Sequence, residues 1–90
     1  MWVIPKVEAI EVFQVTGTTT KEGLQDILGV DFTVDEITGY YDYKYRVLSY
    51  SNCRSYYLGA GDYFAPQGYQ GPAVMSEYEF KRNYVEVDKL

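Results

Sequence analysis

The chain has 90 residues, 47% of them hydrophobic and 23% charged, with a formal net charge of −5. This is the composition of a single globular domain spanning residues 1–90. The acidic balance argues against direct binding of nucleic acid or of an anionic membrane, both of which require lysine and arginine in excess. The absence of histidine and the single cysteine, Cys53, remove Ser-His-Asp and Cys-His catalysis, histidine-based zinc sites and any internal disulfide.

A chain of this length buries a modest core, ~60–65% of the surface its unfolded form exposes. Eleven tyrosines cannot all be hidden in such a core, so an exposed aromatic surface is expected. A lone thiol fits a reducing, cytoplasmic setting. Met1 to Glu8 lacks the charged and long apolar regions of a secretion signal. No stretch approaches the ~18 apolar residues of a membrane span.

In chain order, Pro5 precedes or edges a first strand read over Val7 to Val15, which carries apolar residues on both faces. Thr19 and Glu22 have the spacing of a capping box. Leu24, Ile27 and Leu28 then recur at helical spacing, with Gly29 as a stop, so a helix over Lys21 to Leu28 is predicted to lie on the sheet through those three side chains. Val30 to Ile37 alternates weakly, as a short strand would.

Tyr40 to Tyr50 is the longest clean alternation. Tyr41, Tyr43, Tyr45 and Val47 fall on one side, and Asp42, Lys44 and Arg46 on the other, which predicts a strand with one buried and one wet face. After a turn at Ser51 to Arg54, Ser55 to Leu58 returns as the second arm of a hairpin. Gly59 to Asp62 reads as a turn and Tyr63 to Ala65 as a short strand. The breaker-rich Pro66 to Pro72 reads as a surface loop with Tyr69 exposed at its tip. Ala73 to Met75 re-enters the sheet, Ser76 and Glu79 form a second capping box before a helical turn over Glu77 to Arg82, and Tyr84 to Val87 has strand character. Hairpin-length connections imply antiparallel pairing. The expected fold is α+β: a small twisted, mostly antiparallel sheet of four to six strands, or a partial barrel, with one short helix packed on it.

Three short motifs, Pro5-Lys6-Val7-Glu8-Ala9-Ile10, Gly61-Asp62-Tyr63-Phe64 and Tyr78-Glu79-Phe80-Lys81-Arg82-Asn83-Tyr84, give the chain a resemblance to small bacteriophage and prophage accessory proteins. Those proteins open with a Lys-Pro-Val-Val-Glu-Ala-Ile-like strand, carry a late Gly-Asp-Tyr/Trp motif and close on a Phe-Glu-Lys-Thr-Tyr-like segment. The resemblance covers the two ends, about a third of the chain, and the tyrosine-rich middle departs from it. It implies an accessory protein acting in the bacterial host cytoplasm, and it brings no activity with it.

No catalytic residue, metal-ligand set or cofactor is expected, and the chain does not read as an enzyme. Cys53 beside Arg54 lacks a base to activate it. Gly59-Ala60-Gly61 lacks the Gly-Lys-Ser/Thr ending of a phosphate loop. Asp31, Asp35 and Glu36, with Asp26, do not have calcium-loop spacing and read as a solvated acidic face. Binding remains, with Tyr50, Tyr56, Tyr57 and Tyr69 beside Arg46 and Arg54 as the expected patch, since tyrosine gives large contact area at low entropy cost. The leading expectation is a protein that binds and inhibits a bacterial host or defence protein. The alternatives are a small-molecule or nucleotide binder, with rings stacking on a base and arginines meeting phosphates, and an oligomerising structural protein pairing strand edges. A homodimer is compatible with all three.

Overall fold

A computed structural model describes residues 1–3, 10–68 and 71–84. Within them the chain runs β1 (Phe13–Gln14), α1 (Lys21–Leu28), a 3-10 turn (Gly29–Asp31), β2 (Phe32–Glu36), β3 (Tyr43–Ser49), β4 (Arg54–Gly59), β5 (Tyr63–Gly68), β6 (Gly71–Met75) and α2 (Glu77–Asn83). The strands form two three-stranded antiparallel sheets, ordered β1-β5-β6 and β2-β3-β4. The fold is α+β as expected, but the strands divide into two sheets, which are not closed into a barrel, and the helical turn expected over Glu77 to Arg82 is a second helix, Glu77–Asn83.

The sheets meet through inward-facing residues. Val34 and Phe32 of β2, Tyr45 and Val47 of β3, Leu58 of β4 and Phe64 of β5 form one core with Val15 and with Leu24 and Leu28 of α1. Phe64 has no exposed surface. It packs edge-on against Phe32, with ring centroids 5.7 Å apart, and at the same separation against Tyr56 of β4. The two sheets are thus tied by one aromatic side chain. Val15 links them a second time, bonding through its N–H and its carbonyl to Asp62 and Gly61 in the turn between β4 and β5.

Helix α1 spans Lys21–Leu28 as expected, but its cap is Thr20, one residue after the Thr19 expected. The Thr20 hydroxyl accepts from the Gly23 N–H, while Thr19 is occupied by the Thr16 N–H. The face is also rotated. Leu24 and Leu28 are buried, but Ile27 is 53% exposed. At about 100° per residue, Gln25 lies on the opposite flank of the Leu24/Leu28 stripe from Ile27, and it is Gln25 that meets β2. Its amide accepts from the Val34 N–H at 2.9 Å and donates to the Phe32 carbonyl at 2.7 Å and the Gly29 carbonyl at 2.9 Å. At either end of β2 the Asp31 carbonyl accepts from the Tyr50 N–H, just past β3, and the Ile37 N–H donates to the Lys44 carbonyl of β3. Phe32 and Val34 therefore point their backbone groups at the free edge, and Gln25 fills that edge as a neighbouring strand would.

Two further expectations are corrected. Pro66 to Gly68 belongs to β5 and Gly71 to Pro72 to β6, so the breaker-rich segment is the end of a hairpin. Pro66 is accommodated where the β5/β6 register is irregular, between Ala65 and Gly68, and Pro72 lies on an edge strand. At the hairpin end a side chain on Gly68 would meet the Gly71 carbonyl oxygen at 2.7 Å, so only glycine fits. The expected first strand shrinks to Phe13–Gln14 among the described residues, its Val7 to Ala9 part lying outside them, as do Tyr69 and the proposed strand after Tyr84. The second capping box is present: Ser76 and Glu79 satisfy each other's N–H groups at the start of α2. That helix is held to β5 by Phe80, whose ring stacks on Tyr63 at 3.9 Å.

Candidate functional site

The alternation from Tyr41 to Val47 breaks at one residue. Tyr45 pairs with Leu58 and Tyr43 with Gly59, so two steps along β3 match one step along β4, and Lys44 is the extra residue of a β-bulge. A one-residue shift moves every side chain beyond it to the other face. Tyr45, Val47 and Ser49 are buried on the core face, whereas Tyr43 is turned outward beside Tyr57 of β4, ring centroids 5.7 Å apart. Tyr41 and Tyr43 therefore do not share a face with Tyr45 and Val47.

Before the bulge the chain reverses in a tight turn, closed by the Tyr43 N–H on the Tyr40 carbonyl at 3.2 Å. Tyr41 occupies the left-handed region, with φ of 49°. A bulky residue held there costs roughly 1–2 kcal/mol, and such strain concentrates at functional sites. The turn brings four rings together. Tyr40 lies 5.8 Å from Tyr43 with planes 28° apart and 5.0 Å from Tyr57; Tyr41 stands edge-on to Tyr40 at 4.9 Å and to Tyr43 at 6.3 Å. Tyr41 is 84% exposed and Tyr40 and Tyr43 are more than a third exposed. Behind the cluster, a side chain on Gly59 would approach the Asp42 carbonyl oxygen to 3.0 Å. The missing Cβ lets the turn lie down on β4. Asp62 fastens the next turn, its carboxylate accepting the Gly59 N–H at 2.8 Å. The Gly61-Asp62 motif is thus structural: it shapes the β4–β5 turn across an open depression from Tyr41 and Tyr43.

The rest of the outward face of β2-β3-β4 is mostly polar, with Leu48 half-buried between Thr33 and Ser55. Arg46 sits between Asp35 and Tyr57 in register and pairs with Asp35 at 3.0 Å. Both groups are over 40% exposed, so the pair adds only about 0–1 kcal/mol. Tyr50 is exposed and its hydroxyl bonds to Thr33 on β2.

The expected patch is therefore only partly assembled. Tyr57, Arg46 and Tyr50 lie on the outward face. Tyr56 is on the opposite side, half-buried against Phe64, with its hydroxyl accepting from Asn52 at 2.8 Å. Arg54 pairs with the buried Ser49 and belongs to the same inward-facing set as Tyr56, exposed only because it ends the sheet. Tyr69 lies outside the described residues. The cluster residues Tyr40, Tyr41 and Tyr43 were missed as site candidates because the alternation assigned Tyr41 and Tyr43 to the core. The signal that could have found them is Thr38-Gly39 followed by a third and fourth apolar ring with no room left inside.

Arg46, the group on this face that a phosphate would need, is engaged by Asp35. Asp31, Asp35 and Glu36 do not converge, and no group of carboxylates or cysteine among the described residues is arranged to hold a metal ion. Among the same residues no helix is long and apolar enough to cross a membrane. Comparison with known proteins returns no matching family model, no similar curated protein and no similar solved structure.

Proposed function

We propose that the protein acts without catalysis, as an acidic binding module of the phage accessory type that engages and inhibits a bacterial host or defence protein in the cytoplasm. The contact surface in this reading is the tyrosine turn and the adjoining outward face of β2-β3-β4. The observation that carries it is the cluster of Tyr40, Tyr41 and Tyr43, exposed on and beside a turn with Tyr41 in the left-handed region and gathered against the half-buried Tyr57 of β4. Leaving a large ring exposed forgoes the ~1.5–3 kcal/mol that burial would return. Exposed aromatic anchors surrounded by polar residues are the anatomy of protein interfaces.

Affinity capture of the tagged chain from bacterial lysate, after nuclease treatment and at two salt concentrations, tests the reading. A stoichiometric protein partner is expected with the wild type and is lost with a folded Tyr40→Ala/Tyr41→Ala/Tyr43→Ala variant. A wild-type capture with no specific partner, or one that the triple variant retains in full, overturns it.

A further inference from the structure

We infer that the tyrosine turn receives a cationic side chain, an arginine or lysine carried by a basic segment of the protein partner. The inference rests on the protein-binding reading above and adds the chemistry of what is bound.

Three features of the turn agree in sign. The first is ring geometry. Tyr40 and Tyr43 are near parallel, 28° apart, and Tyr41 stands at 75° and 78° to them, so the rings make a corner with walls on two sides. The faces of aromatic rings are the negative part of their quadrupole, and a cation within ~6 Å of a ring centre is attracted to them. Tyr41, at 84% exposed, keeps most of its surface free for such a contact.

The second feature is local charge. Tyr41 and Tyr43 line an open depression with Gly39, Asp42, Lys44 and Asp62. Two carboxylates there face one ammonium. The nearest arginine, Arg46, is already neutralised by Asp35. The third is the net charge of −5 on the whole chain, which draws a basic segment toward any part of the surface. A phosphate or an acidic peptide is opposed by all three. A purely apolar segment would use the rings and gain nothing from Asp42 or Asp62.

The backbone supports the same reading. Tyr41 has φ of 49°, and the turn is held by the Tyr43-to-Tyr40 hydrogen bond and by the close seat of Asp42 on Gly59. The corner is therefore formed before anything binds, which removes the ordering cost a flexible loop would carry.

The test is an NMR titration of the isotope-labelled full chain with N-acetyl hexa-arginine amide, compared with the citrulline hexamer, its uncharged counterpart of the same size. The ring signals of Tyr40, Tyr41, Tyr43 and Tyr57 are expected to shift together and saturate with the arginine peptide. Tyr78 on α2 serves as the internal control, because it is 71% exposed and, among the described residues, stands outside every ring pair. The citrulline peptide should bind at least about tenfold more weakly. Tyr41→Leu, which keeps apolar bulk without a quadrupole, should weaken the arginine complex about two- to fivefold, and so should Asp42→Asn. Lys44→Glu, a change at an exposed position, should strengthen it by a similar factor.

Equal shifts at all exposed tyrosines, equal binding of the two peptides, or no gain with Lys44→Glu overturn the inference. So does sedimentation showing that ring shifts come from self-association, since the occupant is then a second copy. A captured partner that meets the tyrosine face through an acidic or apolar segment also overturns it, while leaving the protein-binding reading intact.

Discussion

Replacing Gln25 with leucine, which has similar volume and no polar atoms, isolates the edge contact of α1 on β2. In the native fold the Gln25 amide accepts from Val34 N–H and donates to the Phe32 and Gly29 carbonyls, at 2.7–2.9 Å. Val34 is 1% exposed and Phe32 8% exposed, so water cannot simply replace the lost partner at the Val34 N–H. Leaving one buried donor unsatisfied costs about 1–3 kcal/mol, and losing the two donations adds about 1 kcal/mol. The expected loss is therefore about 2–4 kcal/mol, against a total stability of roughly 5–13 kcal/mol for a domain of this size. Urea unfolding followed by circular dichroism measures it, with a lower midpoint and an unchanged slope expected. The exposed edge of β2 should also make the variant associate at high concentration, read by light scattering. A loss below about 0.5 kcal/mol with no association would refute the account, because the edge would then be adequately solvated without Gln25.

Other substitutions probe separate parts of the argument. Phe64→Ala removes the ring that ties the two sheets and should cost about 3–5 kcal/mol in the same unfolding assay. Gly59→Ala forces its new methyl to within 3.0 Å of the Asp42 carbonyl, so the chemical shifts of the Tyr40–Tyr43 turn should move and stability should fall by about 1–3 kcal/mol. Tyr41→Asn places at φ 49° a residue that tolerates the left-handed region, so stability should hold or rise by up to about 1 kcal/mol while partner binding weakens, measured by thermal unfolding and by capture. Burial, then Glu36 and Glu22, raise the Tyr45 phenol above its ordinary value of 10.0, and its hydroxyl donates to the Thr19 carbonyl at 2.8 Å. The folded state thus holds this proton more tightly than the unfolded chain. Its contribution is complete below pH 10 and is lost as the pH rises through the folded value. Tyr45→Phe should flatten that part of the alkaline stability profile.

What could be read from the sequence was what is local. The α1 span, the Ser76–Glu79 capping box and the β3/β4 hairpin follow from contacts between residues close in the chain, whose spacing carries the signal. Ile27 was placed wrongly because hydrophobic periodicity counts apolar residues only, and the face of α1 is completed by a glutamine bonding to a strand edge. Pro66 marked a loop by residue type, yet the ladder it would disrupt is already irregular there. Of the candidate site, Tyr57, Arg46 and Tyr50 lie on the outward face, while Tyr56 and Arg54 were misassigned because adjacent residues of a strand point oppositely and the patch was drawn across both sides. The tyrosine turn was invisible because alternation assumes an unbroken phase through Lys44.

That break of phase has an evolutionary consequence. The outward tyrosine cluster does not depend on composition alone, since the same rings in unbroken alternation would turn Tyr43 toward the interior. Deleting Lys44 would remove the bulge yet leave Tyr43 opposite Gly59 and Tyr45 opposite Leu58, so the cluster would stay outward. A relative one codon shorter in β3 would therefore keep the surface on a regular strand. In such a relative plain alternation would already place Tyr43 and Tyr45 on opposite faces, so the pattern that hides the cluster here would reveal it there.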